Sequence, residues 1–185
     1  MGQHKNGKNI VLGVSGSIAA YKSCSVLRGL MDRGHQVKVV MTEAAQKLVT
    51  PTTFRSLSGR PVTTGLWVPE GQANLVHIEL AEWVDLVAIV PATANIIAKI
   101  TWGFADEILS TTWLACDCPK LVAPAMNDRM WKNFAVVRNV HKLGKQADVH
   151  IVDPVEGKLA SGKHGAGHLA PVEQIVEEIH FLVSS

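Results

Sequence analysis

Short runs of apolar residues alternate along the chain with stretches of helical spacing. Asn9–Val14 is a near-continuous apolar run, the pattern of a strand buried on both faces. Residues 17–33 then bring Ile18, Tyr21, Val26, Leu27 and Leu30 into helical register as candidate core positions, and Gly34 stands where a helix would stop. Valine-rich Gln36–Met41 predicts a second strand, and Pro51–Ser58 a short helix with proline in its tolerated first turn. Residues 59–74 carry Gly59, Gly65 and Gly71 with Pro61 and Pro69, and read as a loop. Further strands are expected at 85–90, at 120–123, where Pro124 cuts the run, and at 149–152. Helical spacing covers 95–115 with a break near Gly103, then 131–143, then 171–183. Glycines and lysines at about 156–168 predict a mobile flap.

Strands alternating with helices imply an α/β fold: a single-domain, Rossmann-like or flavodoxin-like doubly wound parallel sheet with helices on both faces and right-handed crossovers. No internal repeat, low-complexity tract or linker divides the 185 residues, so one domain is expected over 9–185, after a polar tail at 1–8. In such sheets ligands sit beyond the carboxyl ends of the strands, so the informative residues are those just after each strand.

Composition narrows the function classes. Hydrophobic residues make up 47% and charged residues 18% of the chain, and a charge content this low points to surface buried between subunits. A net charge of +2 offers no basic face for nucleic acid, and no apolar run reaches the ~18 residues of a membrane span. Cys24, Cys116 and Cys118, with no signal peptide, fit a reducing, cytoplasmic setting. The C-x-C of Cys116 and Cys118 has neither redox nor zinc spacing and is expected to be helix-end packing. The histidines show no metal-ligand spacing; His164 and His168 lie four apart, but in the flap.

Three strand ends stand out. Gly16, Ser17 and Ile18 follow the first strand, in a turn that offers backbone N–H groups and a helix N-terminus to a phosphate. The alternative is a tight turn with Ser17 as a plain N-cap. The spacing is neither G-x-G-x-x-G nor a Walker loop. Thr42, Glu43 and Ala44 follow the second strand, and Ala92, Thr93, Ala94 and Asn95 the third. Small, polar strand ends converging on one crevice suit a mononucleotide.

The most distinctive segment is Pro124-Ala125-Met126-Asn127-Asp128-Arg129-Met130-Trp131. This P-x-M-N-x-x-M-W pattern resembles the signature of the flavin-containing cysteine decarboxylases, which include phosphopantothenoylcysteine decarboxylase and the enzymes that decarboxylate C-terminal cysteines of lantibiotic peptides. Gly16-Ser17-Ile18-Ala19-Ala20-Tyr21-Lys22, Val76-His77-Ile78-Glu79-Leu80, Pro91-Ala92-Thr93-Ala94-Asn95 and Leu159-Ala160-Ser161-Gly162 agree with it, the last at all but one position. The resemblance spans about residues 9–180 and is nearest to the decarboxylase half of bacterial bifunctional coenzyme A proteins. It implies FMN, held by Gly16, Ser17, Ile18, Thr42, Glu43, Ala44, Ala92 to Asn95 and Ala125. It also implies a homotrimer, or a higher assembly of trimers, with the active site at a subunit boundary. His77 would be the catalytic base, Asn127 would bind the substrate carboxylate, and Lys158, Leu159 and Ala160 would clamp the substrate.

The implied chemistry is physically coherent. An amido carboxylate with no electron sink cannot lose CO2 easily. Oxidation of the neighbouring CH2–SH to a thioaldehyde supplies the sink, and loss of CO2 then gives an enethiol. A histidine suits the base role, although His77, standing just before the helical Ile78-Glu79-Leu80-Ala81 segment, reads by itself as a surface residue making a helix N-terminal contact. A neutral amide at Asn127 holds the carboxylate without the ion pair that would stabilise the ground state, although an N-cap role is open too.

The pantothenoyl-type enzymes have cysteine where this chain has Ser161, and a hydroxyl is a far weaker acid than a thiol. A substitution that traps an intermediate, another donor such as His164, and a reaction ending at the enethiol are all open. Gly165-Ala166-Gly167-His168-Leu169 also departs from the family's usual G-P-G-R-M-like ending. FMN binding and oxidative decarboxylation are expected to persist, with slow final reduction. The competing readings are a peptidyl-cysteine decarboxylase, a non-catalytic flavin-binding regulatory subunit, and a prenyl-FMN synthase on a related fold.

Overall fold

A computed structural model describes residues 7–67, 75–158 and 164–184, with the backbone only at Lys158 and His164. Along the chain the elements are β1 (Asn9–Val14), a 3-10 turn (Ile18–Lys22), α1 (Ser23–Asp32), β2 (Gln36–Met41), α2 (Glu43–Gln46), α3 (Pro51–Ser58), β3 (Val62–Thr63), α4 (Val76–Trp83), β4 (Leu86–Ala92), α5 (Ala94–Trp102) and α6 (Ile108–Ala115). Then come β5 (Lys120–Pro124), α7 (Asp128–Trp131), α8 (Phe134–Leu143), β6 (Val149–Ile151), β7 (Val155–Lys158), β8 (His164–His168) and α9 (Val172–Ser184). Six strands form one parallel sheet in the order β3-β2-β1-β4-β5-β6. The order reverses between β1 and β4, so a crevice opens there at the carboxyl edge, as in other doubly wound sheets.

Residues on the central strands alternate between two cores, as a period of two requires. Ile10, Leu12 and Val14 of β1, with Leu86, Ala88 and Val90 of β4, face α1, α3 and α9, meeting Leu27, Phe54 and Ile175. Val11, Val87 and Ile89 face the opposite layer, where Leu80, Ile97, Leu109 and Leu143 come from α4, α5, α6 and α8. Because both faces are covered, β1 and β4 carry almost no polar side chains, which explains their unbroken apolar runs. No helix among the described residues is long and apolar enough to cross a membrane.

The structure departs from the sequence expectations in several places. The helix expected over 17–33 opens as a 3-10 turn and becomes α-helical only at Ser23. Ile18 and Tyr21, expected in the core, are 63% and 61% exposed, because the tighter turn rotates them away from the sheet. A two-residue strand, β3, lies within the expected loop and extends the sheet beside β2. The helix expected at 131–143 is two elements, α7 and α8, with Asn133 capping the second. The described part of the expected flap is an antiparallel hairpin, β7–β8, outside the main sheet. Lys8 is already tied down: its N–H donates to His35 Nδ1 at 3.3 Å and its carbonyl accepts from Gln36 N at 2.9 Å.

Candidate active site

The carboxyl ends of β1, β2, β4 and β5 are joined by a chain of short-range contacts. Thr42 N donates to Val14 O at 3.1 Å, linking β2 to β1, and Ser15 N donates to Pro91 O at 3.3 Å, linking β1 to β4. Ala125 N donates to Ala92 O at 3.0 Å, linking β4 to β5. Ser15 holds the centre of the crevice: its Oγ donates to Pro91 O at 2.7 Å and accepts from Thr93 N at 3.0 Å. Just below, Ser23 Oγ donates to Val90 O at 2.6 Å. These hydroxyls satisfy backbone groups in a buried place where an unpaired one would cost about 1–3 kcal/mol.

The cofactor residues named from the sequence at Gly16, Ala44, Ala92, Thr93 and Ala125 are brought to this edge. Gly16 lies against Ala44 so closely that a Cβ at Gly16 would come within 2.5 Å of the Ala44 Cβ. Ser17 is buried and caps the 3-10 turn, its Oγ accepting from Ala19 N at 3.4 Å. The N–H groups of Gly16 and Ile18 make no hydrogen bond to another described residue. Thr42 and Thr93 cap α2 and α5, accepting from Ala45 N at 3.2 Å and Ile96 N at 3.3 Å. Glu43 faces solvent in a 3.4 Å pair with Lys47, and Asn95 is exposed on the first turn of α5.

Asn127 and the hairpin meet at the end of β5. Asn127 caps α7, its Oδ1 accepting from Arg129 N at 3.0 Å, so the cap role anticipated for it is real. That bond uses the acceptor end of the amide and leaves the Nδ2 donors for another partner. The hairpin is seated beside it. Met126 N donates to Gly167 O at 2.9 Å, and a Cβ at Gly165 would come within 2.9 Å of the Asp128 Cβ. Gly167 has φ +127°, and a Cβ there would come within 2.4 Å of Met126 O, so glycine is required on both counts. At the base of the hairpin His168 Nε2 accepts from Lys22 Nζ at 2.8 Å, tying the flap to the turn that follows β1. Lys158 ends β7 opposite His164, whereas Leu159, Ala160 and Ser161 lie outside the described residues.

His77 is the second residue of α4 and not, as the sequence suggested, the residue before a helix. Its Nδ1 is buried and has no hydrogen-bond partner among the described residues. Helix α4 leads into the amino end of β4, so its first turn lies toward the carboxyl edge of the sheet. No described hydrogen bond joins His77 to Asn127: α4 packs in the layer of α6, whereas Asn127 stands between β5 and the hairpin. A separate cavity of about 210 Å³, lined by His35, Gln36, Ser58 and Arg60, lies at the opposite edge of the sheet, where β2 begins. Sequence reasoning assigned no role to Ser15, Ser23, Lys22 or His168. The post-strand position of Ser15 was a usable signal, but the Lys22–His168 contact joins residues too far apart in sequence to be anticipated.

Residues 1–184 match the Flavoprotein family. The chain belongs to this family. It is 45% identical over 170 residues to the coenzyme A biosynthesis bifunctional protein CoaBC of Vibrio parahaemolyticus, covering 92% of this chain and 42% of that protein. The chain thus spans about two fifths of the length of such relatives. Among solved structures it resembles a cysteine-to-serine mutant of PPC decarboxylase complexed with pantothenoylaminoethenethiol. The TM-score is 0.86 at 28% identity, covering 97% of this chain and all of that one. It also resembles the FMN-dependent cysteine decarboxylase SpaF, with TM-score 0.83, 29% identity, and 98% and 99% of the two chains covered. The family expected from P-x-M-N-x-x-M-W is therefore borne out, as is the doubly wound fold, and the family assigns a flavin as the cofactor class.

Proposed function

We propose that this chain binds FMN at the joined strand ends and decarboxylates 4′-phosphopantothenoylcysteine in coenzyme A biosynthesis. The observation that carries the reading is the convergence of two features on one edge. One is a turn at Gly16 whose N–H donors are unused among the described residues, and the other is an asparagine beside a docked hairpin whose amide donors are likewise unspent among them. The chain's likeness to CoaBC and to PPC decarboxylase supports the substrate, and its likeness to SpaF supports FMN over other flavins.

The residues present fit the cofactor. The N–H groups of Gly16 and Ile18 would hold its phosphate, with the close Gly16–Ala44 contact setting the width of the cradle. Thr42, Glu43, Ala92, Thr93, Ala94, Asn95 and Ala125 would complete the site. When bound, FMN supplies the two-electron oxidation of the thiol-bearing carbon that makes CO2 loss feasible.

The protein places and handles protons around that chemistry. Asn127 Nδ2 donates to the substrate carboxylate and orients it without a neutralising cation. His77 takes a proton from the substrate as general base; its buried Nδ1, unpartnered among the described residues, is a group free to meet a ligand or a second subunit. Lys158, Leu159 and Ala160 contribute to substrate binding, as the family resemblance implies. Ser161, standing in the place of the family's cysteine, leaves the last protonation slow. The enethiol complex of the cysteine-to-serine PPC decarboxylase mutant supports this. In this reading the active unit is a homotrimer with its site at a subunit boundary. The exposed apolar side chains at the site's margins support it: Ile18 and Tyr21 beside the turn, and Leu75 and Ile78 beside His77.

The test is CO2 release by the FMN-loaded protein from 4′-phosphopantothenoylcysteine and from peptides ending in cysteine. Release from the small molecule alone is expected. Release from the peptides alone would move the assignment to peptide modification, and no release from either would leave a flavin-binding regulatory protein.

A further inference from the structure

The base of the β7–β8 hairpin is tied to both sides of the crevice. On one side Met126, just after β5, donates its N–H to Gly167 O at 2.9 Å. On the other side Lys22, at the end of the turn that follows β1, donates from Nζ to His168 Nε2 at 2.8 Å. Strand β4 lies between β1 and β5 in the sheet, so these two anchors flank the point where the strand order reverses. The ring of His168 is well placed for its part. Leu169 and Ala170, which follow it, are 1% and 0% exposed in the core that α1 and α9 cover. The ring also lies over Gly157 of β7, where a Cβ would come within 3.2 Å of His168 Cγ, so the facing strand is kept bare to receive it.

The Lys22 contact fixes the state of the imidazole. An ammonium has three donors and no acceptor, so Nε2 must carry a lone pair, and the neutral ring then holds its proton on Nδ1. Ordinary values of about 10.4 for lysine and about 6.5 for histidine give the same division near neutral pH. A protonated His168 has no acceptor to offer, and its Nε2–H would meet the Lys22 ammonium, one cation against another. The ionisable residues on β8 and on the elements packed against it are Tyr21 and Lys22 of the turn, Glu156 and Lys158 of β7, His164 of β8 and Asp128 of α7. The carboxylates favour the imidazolium and the cations oppose it, which sets where on the pH scale the proton arrives; its arrival ends the Lys22 bond wherever that falls.

We propose that Lys22 and His168 are a positioning pair: with His168 neutral they hold the base of the hairpin at the crevice, and protonation of His168 releases it from the turn. The consequence for turnover rests on the function proposed above, in which hairpin residues contribute to substrate binding and the turn holds the cofactor phosphate. In that setting the pair couples the two, and its loss raises KM for the substrate while the rate at saturation is kept. The docked state excludes a proton that the released state accepts. Docking through Lys22 is therefore complete above the ordinary histidine value of about 6.5 and is lost as pH falls below it. Between about pH 7.5 and pH 5.5 the docking equilibrium weakens by about tenfold.

Hydrogen exchange of the Met126 amide in the flavin-loaded protein reads hairpin docking independently of activity. Its protection is taken relative to that of the Ala125 amide, which donates to Ala92 O at the strand ends, so that global opening cancels. In wild type this ratio is expected to fall about tenfold from about pH 7.5 to pH 5.5. His168→Gln keeps a neutral acceptor at either pH and should hold the ratio high and flat, whereas Lys22→Met has no donor and should hold it low and flat. With 4′-phosphopantothenoylcysteine, the KM of wild type should exceed that of His168→Gln about tenfold at pH 5.5 and match it at pH 7.5, with kcat alike in both. A wild-type ratio that stays flat over this range, or one that falls equally in Lys22→Met, would overturn the pair, and equal KM values at pH 5.5 would overturn its positioning role. Absence of CO2 release from all three proteins would strike the proposed function and leave the amide ratio to decide the pair.

Discussion

Replacing Gly16 by alanine tests the phosphate cradle at its narrowest point. The new Cβ would stand 2.5 Å from the Ala44 Cβ, whereas carbon atoms rest at about 3.5–4.0 Å, so the two loops must separate by about 1 Å or more. Ala44 is exposed on the four-residue helix α2, so the strain is released outward and not into the core. The N–H donors of Gly16 and Ile18 then leave hydrogen-bonding range of a phosphate fixed by the rest of the site. Loss of one charge-assisted bond is worth about 1.5–3 kcal/mol, or about 10- to 150-fold in affinity. Titration of the apo-protein with FMN, read by quenching of flavin fluorescence, is expected to show a Kd raised within that range, while the apo-protein's Tm falls by no more than about 4 °C. Adding Ala44→Gly removes the opposing methyl and should recover part of the loss. Recovery is partial because the Ala44 carbonyl carbon would still lie 3.1 Å from the new Cβ. A Kd within twofold of wild type in the single variant would refute the cradle.

Gly167→Ala forces a side chain onto a backbone at φ +127° and against Met126 O; about 2–4 kcal/mol of hairpin docking should be lost, seen as faster hydrogen exchange of the Met126 amide. His77→Asn should lower CO2 release about 10²- to 10⁴-fold with FMN affinity unchanged, and equal loss of both would assign His77 to the cofactor. Ser161→Cys should raise the yield of saturated 4′-phosphopantetheine relative to the enethiol, measured by mass spectrometry. His35 is 5% exposed, and burial, then His180 and Arg33, hold its pKa below the ordinary value. The folded state therefore favours the neutral ring. Its contribution is complete above the unfolded pKa of about 6.5 and is lost as pH falls below it, so the urea midpoint should drop between about pH 7.5 and pH 5. His35→Leu should flatten that drop.

The central strands were legible because burial on both faces leaves no choice of residue: β1 and β2 begin and end where the apolar runs do. Elements shaped by contacts distant in sequence were not. The strand β3 is two residues long and owes its existence to the edge of β2, not to any pattern of its own. Ile18 and Tyr21 have helical spacing from Val26 and Leu27, but Ser17 caps a 3-10 turn, and its different pitch sends them outward. The hairpin hid behind its glycines, which mark close approach to Met126 and Asp128 and not looseness. The strand-end rule pointed to Gly16, Thr42 and Thr93, which share the carboxyl edge of the sheet, and the P-x-M-N-x-x-M-W segment pointed to Asn127 at the end of β5. Ser15, Ser23 and the Lys22–His168 contact join distant segments, and only the folded sheet brings their partners within reach.

The most direct test is a single turnover without oxygen. Protein loaded with stoichiometric FMN is mixed with 4′-phosphopantothenoylcysteine carrying an isotopic label in its carboxylate, and both gas and product are weighed. One labelled CO2 per bound flavin is expected, with a product about 2 Da lighter than 4′-phosphopantetheine, since oxidation precedes the loss of CO2. Recovery of the substrate with its label intact, from protein that holds FMN, would contradict the proposed function.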